Sequence, residues 1–464
     1  MRIFLTAIIV LASYGWVLAA DKRLPESHAE IQLSFSKTVK KVSPTVVNVF
    51  SSKVVAGQRS IFSNNSFFEQ FFGGQFGRSQ PRVQKSLGSG IIVDAKGTIV
   101  TNYHVIEGGT KIRVVLADFR EYEARVILKD ERSDLAVLEI IADKDIEFEH
   151  IIFADSDAVE VGDLTLALGN PFGVGQTVTS GIVSAVARTN IGISDFQFFI
   201  QTDAAINPGN SGGALVDSLG RLIGVNTAIF SRSGGSNGIG FAIPANMVKL
   251  VVNAAKIGNR VQRPWMGAKL QSLNNEIALS LGLEKPEGVL VLSGLNDAPL
   301  YQSGIQRGDL IIAMDGKKII NEEQFGYQLS QKFIGSVSVF SVLRDDEIIE
   351  ISVNMVVAPE NPPRRQTVID GNNPFAGIEV VNISPAVAEE MSLPLDSEGV
   401  IISHIEIGSV AQRFGFKIGD IIVSISNVKI RRVGDLLTEV SYGKKFWRFS
   451  INRGGRVINS IVNG

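Results

Sequence analysis

A chain of 464 residues with 45% hydrophobic and 20% charged residues is too long for one ordinary core and suits about three soluble globular domains. Its formal net charge of -2 provides no basic footprint for nucleic acid and no polyanionic tail. Cysteine is absent, so neither disulfides nor thiol chemistry enter the reading.

Residues 1–20 begin Met1-Arg2, run through the apolar stretch Ile3 to Ala12 and finish Val17-Leu18-Ala19-Ala20. A basic start, a short apolar run and small residues at the end predict a secretory signal peptide that is removed. A retained anchor is the alternative, although the run is short for a span. No later segment is long and apolar enough to cross a bilayer. The sequence therefore predicts a mature protein in a bacterial periplasm, with peripheral membrane contact at most.

Phe35 to Ser43, then Pro44, then Thr45 to Phe50 predict a short helix, a proline break and a first strand. Residues 56–85 change texture to Gly, Ser and Asn carrying Phe67, Phe68, Phe71, Phe72 and Phe76. An aromatic cluster of that size on a loop between the first two strands predicts a partner surface, with local packing on the parent barrel as the alternative. From Leu87 to Ala242, short apolar or alternating runs recur between glycine or aspartate turns, as in Ile91-Ile92-Val93, Ile112-Arg113-Val114 and Leu222-Ile223-Gly224-Val225. This pattern predicts a mainly β protein built of barrels or sandwiches.

The C-terminal part repeats itself. Glu287 to Val291 matches Glu398 to Ile402, and Gly304 to Ile312 matches Gly415 to Val423, at one constant offset. A shared offset predicts a duplicated domain. Each copy is expected to end in a hairpin, at Asp345-Asp346 and Gly454-Gly455. Pro359, Pro362, Pro363 and Pro374, with polar residues between them, predict an exposed linker over residues 358–373.

Chemistry concentrates in Gly209-Asn210-Ser211-Gly212-Gly213. Small neighbours let a substrate carbonyl approach the Ser211 hydroxyl, and a tight turn can aim the Gly209 and Ser211 amides at one oxyanion. Serine alone is a weak nucleophile and needs a base. Of the four histidines (His28, His104, His150 and His404), His104 follows a predicted strand in Thr101 to Ile106. Asp134 opens the apolar run Leu135 to Leu138. Singly, the histidine reads as structural and the aspartate as a turn residue. Jointly they stand in the order His, Asp, Ser of a known triad.

On these residues the chain resembles the HtrA family of serine proteases, in particular the Deg type with two PDZ domains. The similarity extends through Leu168 to Gly173, Gln201 to Pro208 and Gly238 to Pro244. It implies a chymotrypsin-like protease domain of two six-stranded β-barrels over residues 21–258, then PDZ domains over 264–357 and 374–464. Catalysis would rest on His104, Asp134 and Ser211, with Gly209, Asn210 and Ser211 around the oxyanion and Ala205, Ile206 and Ile229 lining an apolar pocket for small aliphatic residues. The residue before the nucleophile is Asn210 where trypsin-like proteases carry aspartate, so the resemblance implies activation by loop rearrangement instead of propeptide removal, with Arg188 as a relay.

The positions Trp265, Met266, Gly267 and Ala268 match the peptide carboxylate-binding loop, and Phe375 to Ile378 match it in the second copy. The implied partners are unfolded protein substrates, C-terminal peptides and a homotrimer that assembles further. A holding chaperone or PDZ scaffold is one alternative, and a dedicated signalling protease is another. No Walker-type loop predicts ATP, no His/Glu cluster has metal-ligand spacing, and no cofactor is expected.

Overall fold

The computed structural model describes residues 34–55, 82–143, 146–170, 175–188, 198–207, 209–229, 236–258 and 260–463. The predicted signal segment and the phenylalanines of residues 67–76 lie outside them.

Six strands form a closed barrel: β1 (Val46–Val55), β2 (Arg82–Ile92), β3 (Thr98–Asn102), β4 (Lys111–Val115), β5 (Glu121–Asp130) and β6 (Leu135–Ile141). Their order around it is β1-β2-β3-β6-β5-β4. In β4 the buried residues Ile112 and Val114 alternate with exposed Lys111 and Arg113, the period-two signature of a strand with one wet face. The interior is closed by Val47, Val49, Ile92, Ile99, Val114 and Leu138.

A second barrel follows, after the short β7 (Ile152–Phe153). Its strands are β8 (Leu164–Gly169), β9 (Thr177–Arg188), β10 (Phe199–Thr202), β11 (Ala214–Asp217), β12 (Arg221–Ile229) and β13 (Gly240–Pro244). The order β11-β8-β9-β10-β13-β12 closes through pairing of β11 with β12. The two barrels share a core in which Val46, Leu135 and Val137 of the first meet Leu168, Ala214 and Val225 of the second. The helix Ala245–Lys256 adds Val248, Val251 and Val252 to this seam. The predicted short helix is present at Ser36–Val42 and is pinned to the second barrel, where Thr38 donates to the Ser218 carbonyl.

The duplicated region forms two modules of the same design. In the first, the sheet runs β14 (Ala268–Ser272), β15 (Val289–Gly294), β16 (Leu310–Met314), β18 (Val337–Arg344), β19 (Glu347–Asn354), with β17 (Lys317–Lys318) beside β16. In the second it runs β20 (Thr367–Ile369), β21 (Ile378–Asn382), β22 (Val400–Ile405), β23 (Ile421–Ile425), β25 (Phe446–Arg453), β26 (Arg456–Asn463), with β24 (Val428–Lys429) beside β23. Both predicted hairpins form, and both turn residues of each have positive φ, as a two-residue turn matched to strand twist requires. Buried Asp309 is gripped by Arg344, which also donates to the Gly304 carbonyl. Asp420 and Arg453 repeat the arrangement, with the Gly415 carbonyl in place of Gly304. Pairing by guanidinium relieves the cost of burying each carboxylate.

One sequence expectation changes here, and one side chain takes a further role. The stretch read as an exposed linker contains β20, because its Thr-Val-Ile run finds an open sheet edge on β21. Trp265 is only 8% exposed and packs with Ala298 and Ala358, beside Leu295, Ala386 and Leu395. Its large apolar ring joins the two modules, a role the loop motif did not indicate.

The first module docks on the protease region through Tyr327, which stacks on Phe198 with ring centroids 4.5 Å apart and donates to Asp157. The second reaches it through Glu389, paired with Arg132 at 3.3 Å.

Candidate active site

His104 lies on the one-turn helix Tyr103–Ile106 at the end of β3, held by burial of Val105 and Ile106 in the first barrel. Asp134 closes the 3₁₀ turn Glu131–Ser133 in the left-handed region, φ 53° and ψ 39°. That conformation is tolerated by aspartate better than by most residues. Asn102 fixes the turn from below by donating to the Asp134 carbonyl at 2.9 Å, and the Tyr103 amide donates to the same oxygen.

The Asp134 carboxylate meets His104 twice. His104 Nδ1 lies 2.7 Å from Oδ2 and 3.0 Å from Oδ1, and the His104 amide donates to Oδ1 at 3.0 Å. Thr227 Oγ1 of the second barrel donates to Oδ2 at 2.7 Å. The carboxylate thus favours the tautomer with hydrogen on Nδ1 and leaves Nε2 free to accept a proton.

Ser211 enters from the other barrel. Its turn is possible because Gly209 (φ 96°) and Gly212 (φ 83°) occupy the left-handed region; a Cβ on Gly212 would stand 2.1 Å from the Ser89 carbonyl oxygen. The first barrel grips this turn through one residue. Ser89 Oγ donates to the Gly209 carbonyl at 2.7 Å and accepts from the Asn170 amide, while the Ser89 amide donates to the Ser211 carbonyl at 2.8 Å.

Among the described residues, no acceptor takes the Gly209 or Ser211 amide. Asn210 differs: its amide donates to the Asn207 carbonyl at 3.0 Å and its side chain is fully buried. It shapes the turn, and the amides left for an oxyanion are those of Gly209 and Ser211. Ser211 Oγ donates to the Thr227 carbonyl at 3.1 Å. The same Thr227 gives its hydroxyl to Asp134, so one residue of the second barrel links the nucleophile to the carboxylate that holds the imidazole.

Of the predicted pocket residues, Ile206 is 1% exposed and packs in the core of the second barrel with Ala204, Leu215 and Ala242. It is a wall behind the site, not an open lining. Ala205 is partly exposed, and its carbonyl accepts from Thr179. The side chains of Ile229 and Arg188 lie outside the described residues; the backbone of Arg188 ends β9 opposite Phe199. Among the described residues no group of His, Asp or Glu could hold a metal ion.

Residues 88–225 match the trypsin-like peptidase domain family, and residues 264–355 match the PDZ domain family. A probable periplasmic serine endoprotease, DegP-like, from Chlamydia pneumoniae is 38% identical across 88% of this chain and 84% of its own length. The chain belongs to the HtrA family of serine endoproteases. The periplasmic serine endoprotease DegP of Escherichia coli K12 is 36% identical over 92% of each chain. Among solved structures, the HtrA-type protease AlgW with a decapeptide matches at 38% identity and a TM-score of 0.52, over 70% of this chain and 99% of that one. This HtrA protease is therefore a serine endopeptidase with a chymotrypsin-like double barrel followed by PDZ modules.

Burial opposes a charge on His104, but the Asp134 carboxylate, its hydrogen bond and the charge of Glu107 outweigh burial and hold the imidazole above its ordinary 6.5. A base must be neutral to accept a proton, so the acid limb of kcat/KM against pH is expected to have its midpoint above 6.5 and to rise towards alkaline pH. The same linkage gives stability that is present below the unfolded imidazole value and lost as pH rises through the raised folded one. A pH series of peptide hydrolysis checks the first statement; a midpoint below 6 contradicts it.

Proposed function

We propose that this HtrA protease degrades unfolded or misfolded proteins in the periplasm without ATP, capturing chain ends on its PDZ modules. The pairing of His104 with Asp134 and their link to Ser211 through Thr227, on a chain that continues into two such modules, carry the reading. Ser211 Oγ leaves the Thr227 carbonyl and attacks the scissile carbonyl while His104 Nε2 takes its proton. His104 then returns that proton to the leaving amine, and water repeats the sequence to release the acyl group. Asp134 holds the imidazole tautomer and offsets the imidazolium charge. The Gly209 and Ser211 amides hold the oxyanion.

Ala205, where trypsin-like enzymes place a pocket aspartate, supports an apolar pocket that takes small aliphatic residues, since a buried cation needs a partner carboxylate. The contact of Phe198 with Tyr327 supports a route from the first PDZ module towards Arg188 and the loop after it. The names of the relatives support a periplasmic location, and the pattern of residues 1–20 supports a cleaved signal peptide as the way there. The phenylalanine-rich segment reaches a neighbouring subunit and blocks active sites in a resting oligomer built of trimers.

The test uses purified enzyme without nucleotide on one protein in two forms, natively folded and reduced and unfolded. Cleavage of the unfolded form alone is expected. Equal cleavage of both forms, or a requirement for ATP, overturns the reading.

A further inference from the structure

The two PDZ modules differ at the place where a peptide would add. An extended peptide binds such a module as an extra strand, using main-chain hydrogen bonds for affinity and a nest of backbone amides for its carboxylate. In the first module, β14 is the terminal strand, with no described strand on its outer side. In the second, the corresponding strand β21 carries β20 on that side. The pairing is antiparallel, with Thr367 opposite Val380, Val368 opposite Glu379 and Ile369 opposite Ile378.

The end of β20 reaches the loop that the sequence assigns to carboxylate capture. The Gly377 amide donates to the Ile369 carbonyl at 2.8 Å, and Gly377 (φ 90°) is the counterpart of Gly267 (φ 63°). The Ile369 side chain is 1% exposed and belongs to the core cluster with Phe375, Ile378, Val433 and Leu436. Val433 and Leu436 come from the helix Val433–Ser441, which faces β21 across the groove.

Upstream, Asn382 of β21 ties the segment to the helix. Its amide donates to the Arg364 carbonyl, its Nδ2 to the Pro363 carbonyl, and its Oδ1 accepts from the Val433 amide, each at 2.8 Å. Direction, register, the filled apolar position and the bond to the loop amide coincide in one segment.

We propose that the peptide groove of the second PDZ module is occupied by the chain's own residues 363–369, with Ile369 in the position of a ligand's terminal residue. This rests on the reading of the modules as peptide-capturing. The groove is consequently an exchange site. Its external ligand is a peptide with an aliphatic last residue and a free carboxylate, which gains charge-assisted bonds to the loop that the neutral Ile369 carbonyl cannot make. The internal strand is tethered, and an effective concentration in the millimolar range sets the competition such a peptide must win.

The test uses full-length protein carrying Ser211→Ala and a synthetic peptide Pro-Arg-Arg-Gln-Thr-Val-Ile with a free carboxylate and an N-terminal benzophenone. Photolabelled sites are mapped by mass spectrometry. In the parent chain, labelling is expected in the first module, with little on β21 or the helix Val433–Ser441. Ile369→Asp is expected to raise second-module labelling about tenfold or more, because a buried unpaired carboxylate expels the strand.

A second arm leaves the core untouched. Val368→Cys with Glu379→Cys, in a chain otherwise free of cysteine, locks β20 on β21 when oxidised. Oxidation is expected to abolish the second-module labelling seen at saturating peptide, and reduction to restore it. The proposal is overturned if the parent labels both modules equally, if the oxidised lock leaves second-module labelling unchanged, or if only the first module labels in every variant. Absence of labelling in both modules overturns the capture reading itself.

Discussion

Ser211→Ala is expected to lower kcat/KM for peptide hydrolysis by about 10⁴-fold or more while leaving the fold in place. The loss is large because the hydroxyl is the atom that forms the acyl bond, and the free oxyanion donors alone give only residual acceleration. The fold survives because Ser211 makes its hydrogen bond through Oγ to a single carbonyl, that of Thr227. The features that shape the turn are Gly209, Gly212 and the Ser89 clamp, and all of them remain. A thermal midpoint within a few degrees of the parent, with hydrolysis of a chromogenic peptide near background, is the expected pair of results. Near-normal hydrolysis by the purified variant would remove Ser211 from the mechanism.

The second large effect belongs to Asp134→Asn, for which a fall in kcat of about 10⁴-fold is expected with little change in stability. Asparagine tolerates the left-handed backbone at this position about as well as aspartate does. It therefore avoids the strain that Asp134→Ala would add. Its single side-chain oxygen can accept from the His104 amide in place of Oδ1. The NH₂ group then faces His104 Nδ1, where Oδ2 stood, while the Thr227 hydroxyl can rotate to accept from it. Nδ1 must become an acceptor, hydrogen moves to Nε2, and the base can no longer take the serine proton. Nitrogen-15 NMR of the imidazole, recorded beside the kinetics, reads this tautomer directly. A variant with full kcat, or one that keeps the Nδ1–H form, would contradict the role given to Asp134.

The parts of this molecule that were readable in sequence are those set by local pattern. Flanks of His104, Asp134 and Ser211, the duplicated Gly-Asp segments and the alternating strands all carry their information within about ten residues. What sequence reasoning missed depends on distant partners. Ser89 is one small residue between two glycines, and nothing nearby says that its hydroxyl meets Gly209. Thr227 gives its hydroxyl to Asp134 and its carbonyl to Ser211, two roles that exist only once the barrels have met.

Asn210 was legible as a missing carboxylate but not as a residue whose amide is already committed to Asn207. Pro362 and Pro363 drew attention to an exposed linker and away from the Thr-Val-Ile run just beyond them, because prolines mark what cannot pair while an open edge recruits what can. Trp265 was judged by its place in a loop motif, whereas its area found a better use between modules.

His104 and Asp134 belong to one barrel, Ser211 and Thr227 to the other, and what brings them within reach is the shared apolar seam with the Ser89 and Thr227 bonds across it. A newly made or heat-damaged copy therefore carries no cutting edge. Neither barrel alone holds all three triad residues, and parting of the seam separates His104 and Asp134 from Ser211. For a protease working among copies of its own chain, competence to cut is certified by having folded correctly.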